Sequence, residues 1–184
     1  MMLETERLIL RPFEKSDLKA VAAMLADPRA RQFLGGAKTY EQATLWLERM
    51  MAEFAEHGVG FMPIEMKQTG DLIGYAGLRE IPYELAFTPA TEIGWALAAD
   101  HWRQGYASEA ADRWLAYAFE DTPREEIVAF AAIANLPSLA VMRRIGMRRD
   151  AARDFDHPRV MSSEIGYKRH QVHVMTRDEW FARK

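Results

Sequence analysis

The sequence predicts a mixed α/β (α+β) domain in which a sheet of about seven strands is flanked by helices. A short apolar strand, Ile93–Leu97, leads through a glycine-containing turn into a long amphipathic helix. Two strand-like segments, 61–67 and 72–79, are separated by the turn sequence QTGD, as in a β-hairpin. The run EIVAFAAI at 126–133 is nearly all apolar, which is typical of a strand covered on both faces.

The first third of the chain predicts one strand and two helices. Residues 6–12 alternate in polarity and form a strand that Pro12 ends. Ser16 or Asp17 caps a helix that Asp27 and Pro28 terminate. Residues 31–38 contain two glycines and are predicted to be a loop. Thr39 caps a second helix, 40–57, whose inner face carries Ala43, Trp46, Leu47, Met50 and Phe54.

The remaining elements follow the hairpin. Residues 81–89 contain two prolines and are predicted to form a loop. The helix after the central strand has an apolar stripe at 3.6-residue spacing and an opposite face with Glu109 and Asp112 that suits solvent. A short helix follows Asn135 and ends at Gly146. Segments 147–155 and 168–176 are predicted to be the last two strands, and Thr176 caps a terminal helix over 177–183. The apolar stripe on the helix after the central strand consists of Ala107, Ala110, Ala111, Trp114, Leu115, Ala118 and Phe119.

Composition limits the function classes. The 184 residues, 49% of them hydrophobic, suggest one domain over 1–184. A net charge of −3 gives no indication of a nucleic-acid or anionic-membrane partner. The absence of cysteine excludes disulfides, thiolate metal sites and a cysteine nucleophile. With no signal-peptide pattern and no apolar run near the length of a membrane span, we expect a cytoplasmic protein, monomeric or homodimeric.

The junction before the long helix predicts an anion site. The first turn of a helix has N–H groups without intrahelical partners, and the helix dipole adds partial positive charge there. Gly105 and Ala107 let an anion approach the backbone closely, and Arg103 adds a full positive charge. One glycine before a helix is also what a plain strand–helix turn requires. Neither a nucleotide P-loop nor a dinucleotide-binding fingerprint occurs in the sequence.

The segment WRQGYASEA after EIGWAL resembles the acyl-CoA pyrophosphate loop of the GNAT N-acetyltransferase superfamily, with Trp102 at the loop's first position. It is most similar to the Rim-type branch, the ribosomal-protein N-terminal acetyltransferase-like proteins. The opening LETERLILRPF, the NLPS…IGM segment at 135–147, and the DHPR and RHQV segments also resemble that branch. The resemblance implies a twisted, mostly antiparallel sheet that is splayed at its central strands. It also implies transfer of acetyl from acetyl-CoA, without a metal, to a primary amine within a ternary complex.

By this resemblance, the loop backbone binds the pyrophosphate of acetyl-CoA, and the N–H near Leu97 polarises the thioester carbonyl. Asn135 then bonds the pantetheine arm, although an asparagine there also suits a helix N-cap. The loop residues are Arg103, Gln104, Gly105, Tyr106, Ala107 and Ser108.

Two residues are candidates for proton transfer. Glu92 begins the central strand and would serve as the base for the amine if desolvation raised its pKa; alternatively, it forms a strand-edge salt bridge. The superfamily's usual general acid is a tyrosine, but that position is Met142 here, which has no proton to donate. Ser138 is the nearest hydroxyl on the motif and the candidate proton donor to the leaving thiolate, unless it only starts a helix.

Other features leave alternatives open. An arginine cluster at 143, 144, 148 and 149 would meet the CoA 3′-phosphate or an acidic substrate, or is simply a solvated face. The five histidines lack metal-ligand spacing, so no metal is expected. The acceptor is either a protein N-terminal amine or a small amine. Two non-enzymatic alternatives are a CoA-binding sensor or scaffold on the same fold and a partner-binding protein that does not bind CoA.

Overall fold

The computed structural model describes residues 1–161 and 165–183 of the chain. The strands are β1 (Leu3–Glu4), β2 (Leu8–Leu10), β3 (Phe61–Met66), β4 (Leu72–Glu80), β5 (Thr91–Leu97), β6 (Glu126–Ala132), β7 (Arg148–Arg149), β8 (Phe155–Asp156) and β9 (Arg169–Thr176). The helices are α1 (Leu18–Ala26), α2 (Pro28–Arg31), α3 (Tyr40–His57), α4 (Tyr106–Glu120), α5 (Leu136–Arg144), α6 (Ile165–Lys168) and α7 (Arg177–Ala182). Short 3₁₀ turns occupy 15–17, 99–101 and 151–153.

The fold class is confirmed: helices flank a mostly antiparallel sheet, with β5 and β6 as a parallel pair. Helix α3 has the predicted bounds, because Thr39 and Gln42 form a reciprocal capping box and Gly58 ends the helix at φ 67°. The α4 stripe is buried from Ala110 to Phe119 at every predicted position.

Contacts divide the chain into two compact units, and the first comprises 1–78 and 94–114. Its strands β1, β2, β3 and β4 form an antiparallel series, with Leu10 opposite Ile64 and Phe61 opposite Gly77. Its core contains Phe13, Val21, Leu25, Trp46, Leu47, Phe61 and Tyr75. Strands β4 and β5 approach so closely that a Cβ at Gly74 would lie 2.3 Å from the Ala96 carbonyl oxygen.

The second unit comprises 79–93 and the chain from 115 onwards. Its longest ladder is antiparallel and runs from Glu126 opposite Thr176 to Ala132 opposite His170. Strands β7 and β8 also pair with β9, and Glu92 at the start of β5 pairs in parallel with Val128. Ile81, Val128, Val172 and Val174 form the centre of an apolar cluster on this sheet.

Some predicted element bounds were wrong. The strand expected over 147–155 is interrupted, because Asp154 pairs with Arg149 and accepts the Val172 N–H at 3.0 Å, so that side-chain bonds replace part of the ladder. The predicted loop at 31–38 begins within α2, whose first turn is capped by Asp27 through a 2.8 Å bond from the Arg29 N–H. The strand over 6–12 is shorter than predicted, and the short elements β1 and α6 were not expected.

Candidate functional site

The predicted anion loop lies in the first unit, between the end of β5 and the start of α4. Arg103 adopts φ 60° and is the non-glycine residue with positive φ among those that the structure describes; Gly105 follows at φ 86°. The Glu109 N–H makes the first turn's bond to the Gly105 carbonyl at 3.0 Å. The N–H groups of the residues before Glu109 in that turn have no i−4 carbonyl within the helix. The loop therefore has the backbone geometry that an anion requires.

Trp102 ties the start of this loop to the end of the strand. Its indole Nε1–H donates to the Leu97 carbonyl at 3.0 Å, although 42% of the residue remains exposed. Gln104 makes a second local bond through its side-chain amide to the Asp100 carbonyl at 3.3 Å. Leu97, Trp102 and the loop were predicted to belong to one acetyl-CoA site. The structure brings these three together.

Arg7 and Glu109 form a clamp on this loop that sequence reasoning missed. The Arg7 guanidinium donates to Glu109 Oε2 at 2.6 Å and to the Gln104 carbonyl at 3.0 Å, and its Cζ lies 4.4 Å from the centre of the Tyr106 ring. Glu109 also accepts from the Arg7 backbone N–H at 3.0 Å and from the Thr5 hydroxyl at 2.5 Å. The prediction that Glu109 is a solvent-facing residue was therefore wrong.

The electrostatics of Glu109 match these bonds. Partial burial alone would raise the pKa of its carboxyl, but hydrogen bonds from Thr5 and Arg7 outweigh that effect and hold the pKa below its ordinary value. The sequence did contain a signal, the T-E-R opening. This opening was noted as part of the family resemblance, but no contact between Arg7 and Glu109 was predicted from it. Because Arg7 and Glu109 are 102 positions apart, only the folded chain reveals their contact.

Glu92 forms the salt bridge that was one of the two roles considered for it. It lies in the second unit, is 5% exposed and forms an ion pair with the Nε of Arg79. Burial raises the pKa of Glu92, and the attraction of Arg79 offsets only part of that rise. The carboxylate is therefore a salt-bridge partner whose pKa is also shifted in the direction that a general base near neutrality requires.

Asn135 and Ser138 are brought together in the second unit, at the start of α5. The Ser138 backbone N–H donates to Asn135 Oδ1 at 3.3 Å, so Asn135 acts as the helix N-cap. The Ser138 residue is half-buried, and Met142 one turn later is 2% exposed. The capping interpretation of Asn135 is thus observed, while its side-chain NH₂ is a further donor.

The arginine cluster is largely engaged in ion pairs. Arg148 bonds Glu179 at 2.8 Å, and Arg149 pairs with Asp154; Arg143 and Arg144 are exposed at the end of α5. Within 1–161 and 165–183, no group of three or more histidine, aspartate or glutamate side chains is placed to hold a metal ion. Among the helices of these residues, none combines the length and apolarity needed to cross a bilayer.

A second set of polar residues was not assigned a role from the sequence. Tyr83, His157 and His170 lie together in the second unit, with the Tyr83 hydroxyl 2.9 Å from His157 Nε2 and the two imidazole centres 4.8 Å apart. The signal was present in the DHPR and RHQV segments, which were noted only as a resemblance. Their proximity depends on the pairing of β8 with β9.

Comparisons with known proteins identify the family of the chain. The family model described as the acetyltransferase (GNAT) domain matches residues 7–148. The uncharacterised N-acetyltransferase YnaD of Bacillus subtilis is 32% identical over 82% of this chain and 84% of its own length. The crystal structure of a GNAT-family acetyltransferase from Bacillus anthracis superposes with a TM-score of 0.81 and 26% identity, covering 97% of this chain and all of that one.

A more distant structure shares the fold alone. The ribosomal-protein-S5-alanine acetyltransferase from Vibrio fischeri gives a TM-score of 0.73 at 17% identity, over 98% of both chains. The family match, the relative and the structural neighbours all lead to one assignment. The chain belongs to the GNAT family of N-acetyltransferases.

Proposed function

We propose that the protein transfers the acetyl group of acetyl-CoA directly to a primary amine while both substrates are bound. The observation that carries this proposal is the loop from Arg103 to Ser108. Its left-handed residues, the open first turn of α4 and the clamp from Arg7 and Glu109 suit a diphosphate. No side chain at Gly105 obstructs the approach of a phosphate to the backbone.

In this proposal, donor binding uses backbone groups and one amide. The N–H groups of 103–108 hold the diphosphate, and the Leu97 N–H polarises the thioester carbonyl. The NH₂ of Asn135 bonds the pantetheine arm, which is compatible with its cap because the cap uses only the side-chain oxygen. The capping bond leaves the amide with a fixed orientation.

The chemistry needs three proton transfers. An ammonium acceptor first loses one proton to Glu92, whose raised pKa suits that role. The neutral amine nitrogen then bonds the thioester carbon, the carbon–sulfur bond breaks, and the acetyl group moves to the nitrogen. The thiolate leaves with a proton supplied by the Ser138 hydroxyl, which regains one from the ammonium nitrogen of the tetrahedral intermediate. The products are an amide, free CoA thiol and one proton held by Glu92.

The acceptor in this proposal is a protein N-terminal amine or a small amine. The N-terminal option rests on the Rim-type motifs of the sequence, namely the loop WRQGYASEA and the opening TERLILRP. We place the reaction in the cytoplasm, in keeping with the absence of cysteine.

Two measurements test the proposal. Calorimetric titration with CoA should give saturable binding at one site per chain, and Gly105→Val should abolish it. Release of free thiol from acetyl-CoA should then appear with at least one member of a panel of small amines and peptides with different N-terminal residues. CoA binding without thiol release would favour the sensor alternative, and no binding at all would overturn the proposal.

A further inference from the structure

One face of the second unit's sheet carries an aromatic and imidazole cluster. Residues directly opposite each other on neighbouring strands share a face, and the side chains alternate along each strand. Val128 opposite Val174, Phe130 opposite Val172 and Ala132 opposite His170 therefore form three rows on one face. Phe155 of β8 lies opposite His170 on the other side. Half-buried side chains of the 81–90 segment, Tyr83 and Phe87, pack against the same cluster.

His170 carries an acceptor nitrogen within this cluster. It is 6% exposed, and its Nδ1 lies 3.0 Å from the Lys168 carbonyl oxygen. Because a carbonyl oxygen can only accept, the proton of the neutral imidazole is on Nδ1 and the lone pair is on Nε2. Burial lowers the pKa of His170, so the neutral form prevails at pH 7.

His157 has the opposite tautomer. The Arg159 backbone N–H donates to its Nδ1 at 3.1 Å, so the proton of the neutral ring is on Nε2 and donates to the Tyr83 hydroxyl at 2.9 Å. Burial, followed by His170, Arg159 and Arg79, lowers the pKa of His157 to about 4. The Tyr83 hydroxyl accepts this hydrogen bond and can therefore donate its own proton to another acceptor. One donor, the Tyr83 hydroxyl, and one acceptor, Nε2 of His170, thus lie on either side of His157.

The aromatic rings around these groups favour a flat ligand. Phe130 and Phe155 meet edge to face at 5.2 Å, and Phe87 meets Phe155 in the same manner at 5.8 Å. Cations already contact these rings: the Arg159 Cζ lies 4.9 Å from the centre of Tyr83, and the Arg153 Cζ lies 5.8 Å from that of Phe87. An aromatic group and a neighbouring amine therefore both find complementary surfaces here.

We propose that Tyr83, His157 and His170 form the acceptor-recognition site, and that the acceptor is a primary amine carrying an aromatic group. Its N–H donates to Nε2 of His170, a polar atom of the acceptor receives the Tyr83 proton, and its ring packs on Phe130 and Phe155. His157 is a positioning residue that orients the Tyr83 hydroxyl. This inference rests on the acetyl transfer proposed above for its kinetic test.

Three variants separate recognition from stability. His170→Asn keeps a side-chain N–H near the Lys168 carbonyl and removes the Nε2 lone pair, while Tyr83→Phe removes only the hydroxyl. His173→Asn is the matched control. His173 is 2% exposed and lies on the same strand, three residues after His170, so its side chain is on the opposite face of the sheet. The probes are phenethylamine, a peptide with N-terminal phenylalanine, and n-butylamine as the non-aromatic amine.

For the preferred aromatic probe, His170→Asn should raise KM about tenfold, since an unpaired polar group in a recognition site typically costs that factor or more. The dissociation constant of CoA should stay unchanged. The rise in KM for n-butylamine should be smaller. In the wild-type protein, the aromatic probe with the lower KM indicates whether the acceptor is a free amine or a peptide. Equal effects in His170→Asn and His173→Asn, or an unchanged KM in His170→Asn, would overturn the inference.

A binding measurement decides the matter even if no amine releases thiol. Imidazole ¹⁵N resonances of the chain, with and without CoA, are followed as phenethylamine is added. A saturable shift of His170 Nε2 that Tyr83→Phe weakens supports the site, whatever the fate of acetyl transfer. Resonances that do not move up to millimolar phenethylamine would refute it, while thiol release with other amines would leave the proposed function intact.

Discussion

Replacing Arg7 by alanine is expected to weaken CoA binding about tenfold. The Arg7 side chain is 43% exposed, so its ion pair with Glu109 contributes only about 0–1 kcal/mol. Its bond to the Gln104 carbonyl adds about 1 kcal/mol. If this total of about 1–2 kcal/mol holds the loop in its binding conformation, its loss makes that conformation less populated. If the binding conformation is then a minor state of the free loop, affinity falls by up to the same factor, and about 1.4 kcal/mol corresponds to tenfold.

The assay is calorimetric titration with CoA, accompanied by thermal unfolding. Arg7→Lys is the matched control, because it keeps the charge but lacks the planar fork that reaches Glu109 and Gln104 together. Both variants should lose about 2–8 °C in Tm, since 1 kcal/mol corresponds to about 2–4 °C for a chain of this length. Affinity close to wild type in Arg7→Ala would show that the clamp stabilises the fold without organising the loop. Full recovery in Arg7→Lys would show that charge alone matters.

Three further substitutions test the site. Gly105→Val should leave the circular dichroism of the domain intact but abolish CoA binding, because φ 86° is strained for a branched residue and its side chain would block the approach of a phosphate to the backbone; measurable affinity would contradict the loop assignment. Glu92→Gln should reduce turnover at neutral pH while the CoA dissociation constant changes less. Since burial raises the pKa of Glu92, the wild-type rate should increase as pH rises through that pKa, and this limb should be absent in the variant; an unchanged profile removes Glu92 as the base. Ser138→Ala retains the backbone bond to Asn135, so Tm should hold within about 1 °C while kcat decreases if the hydroxyl protonates the thiolate; equal kcat values would leave Ser138 with a capping role only.

Local patterns predicted most of the regular elements. The helix α3 was predicted to the residue, because its capping box, its apolar spacing and Gly58 all act within a few positions of the chain. The apolar stripe on α4 and the strand β6 were predicted for a related reason. The spacing of apolar residues along a segment indicates whether it forms a helix or a strand. The turn before α4 was predicted from its residues and the strand–helix context, and its binding of a diphosphate stays a prediction.

Elements that depend on distant side chains were predicted less well. The interruption between β7 and β8 follows from the bonds that Asp154 makes to Arg149 and to the Val172 N–H, and the latter lies 18 positions away. Burial of Asp154 alone would raise the pKa of its carboxyl, but these bonds outweigh burial and lower it. A window of neighbouring residues contains no information about such a partner.

For this protein, the sequence alone determined the long helices, the longer strands and the glycine turn before α4, because backbone propensity, capping and periodicity are local. Only the tertiary structure decided that Arg7 clamps Glu109, that Arg79 pairs with Glu92, and that His157 lies against both Tyr83 and His170. These contacts join residues far apart in the chain, and burial shifts the pKa values of Glu92 and His157, whereas hydrogen bonds outweigh burial at Glu109. Burial is set by what the folded chain packs around each side chain.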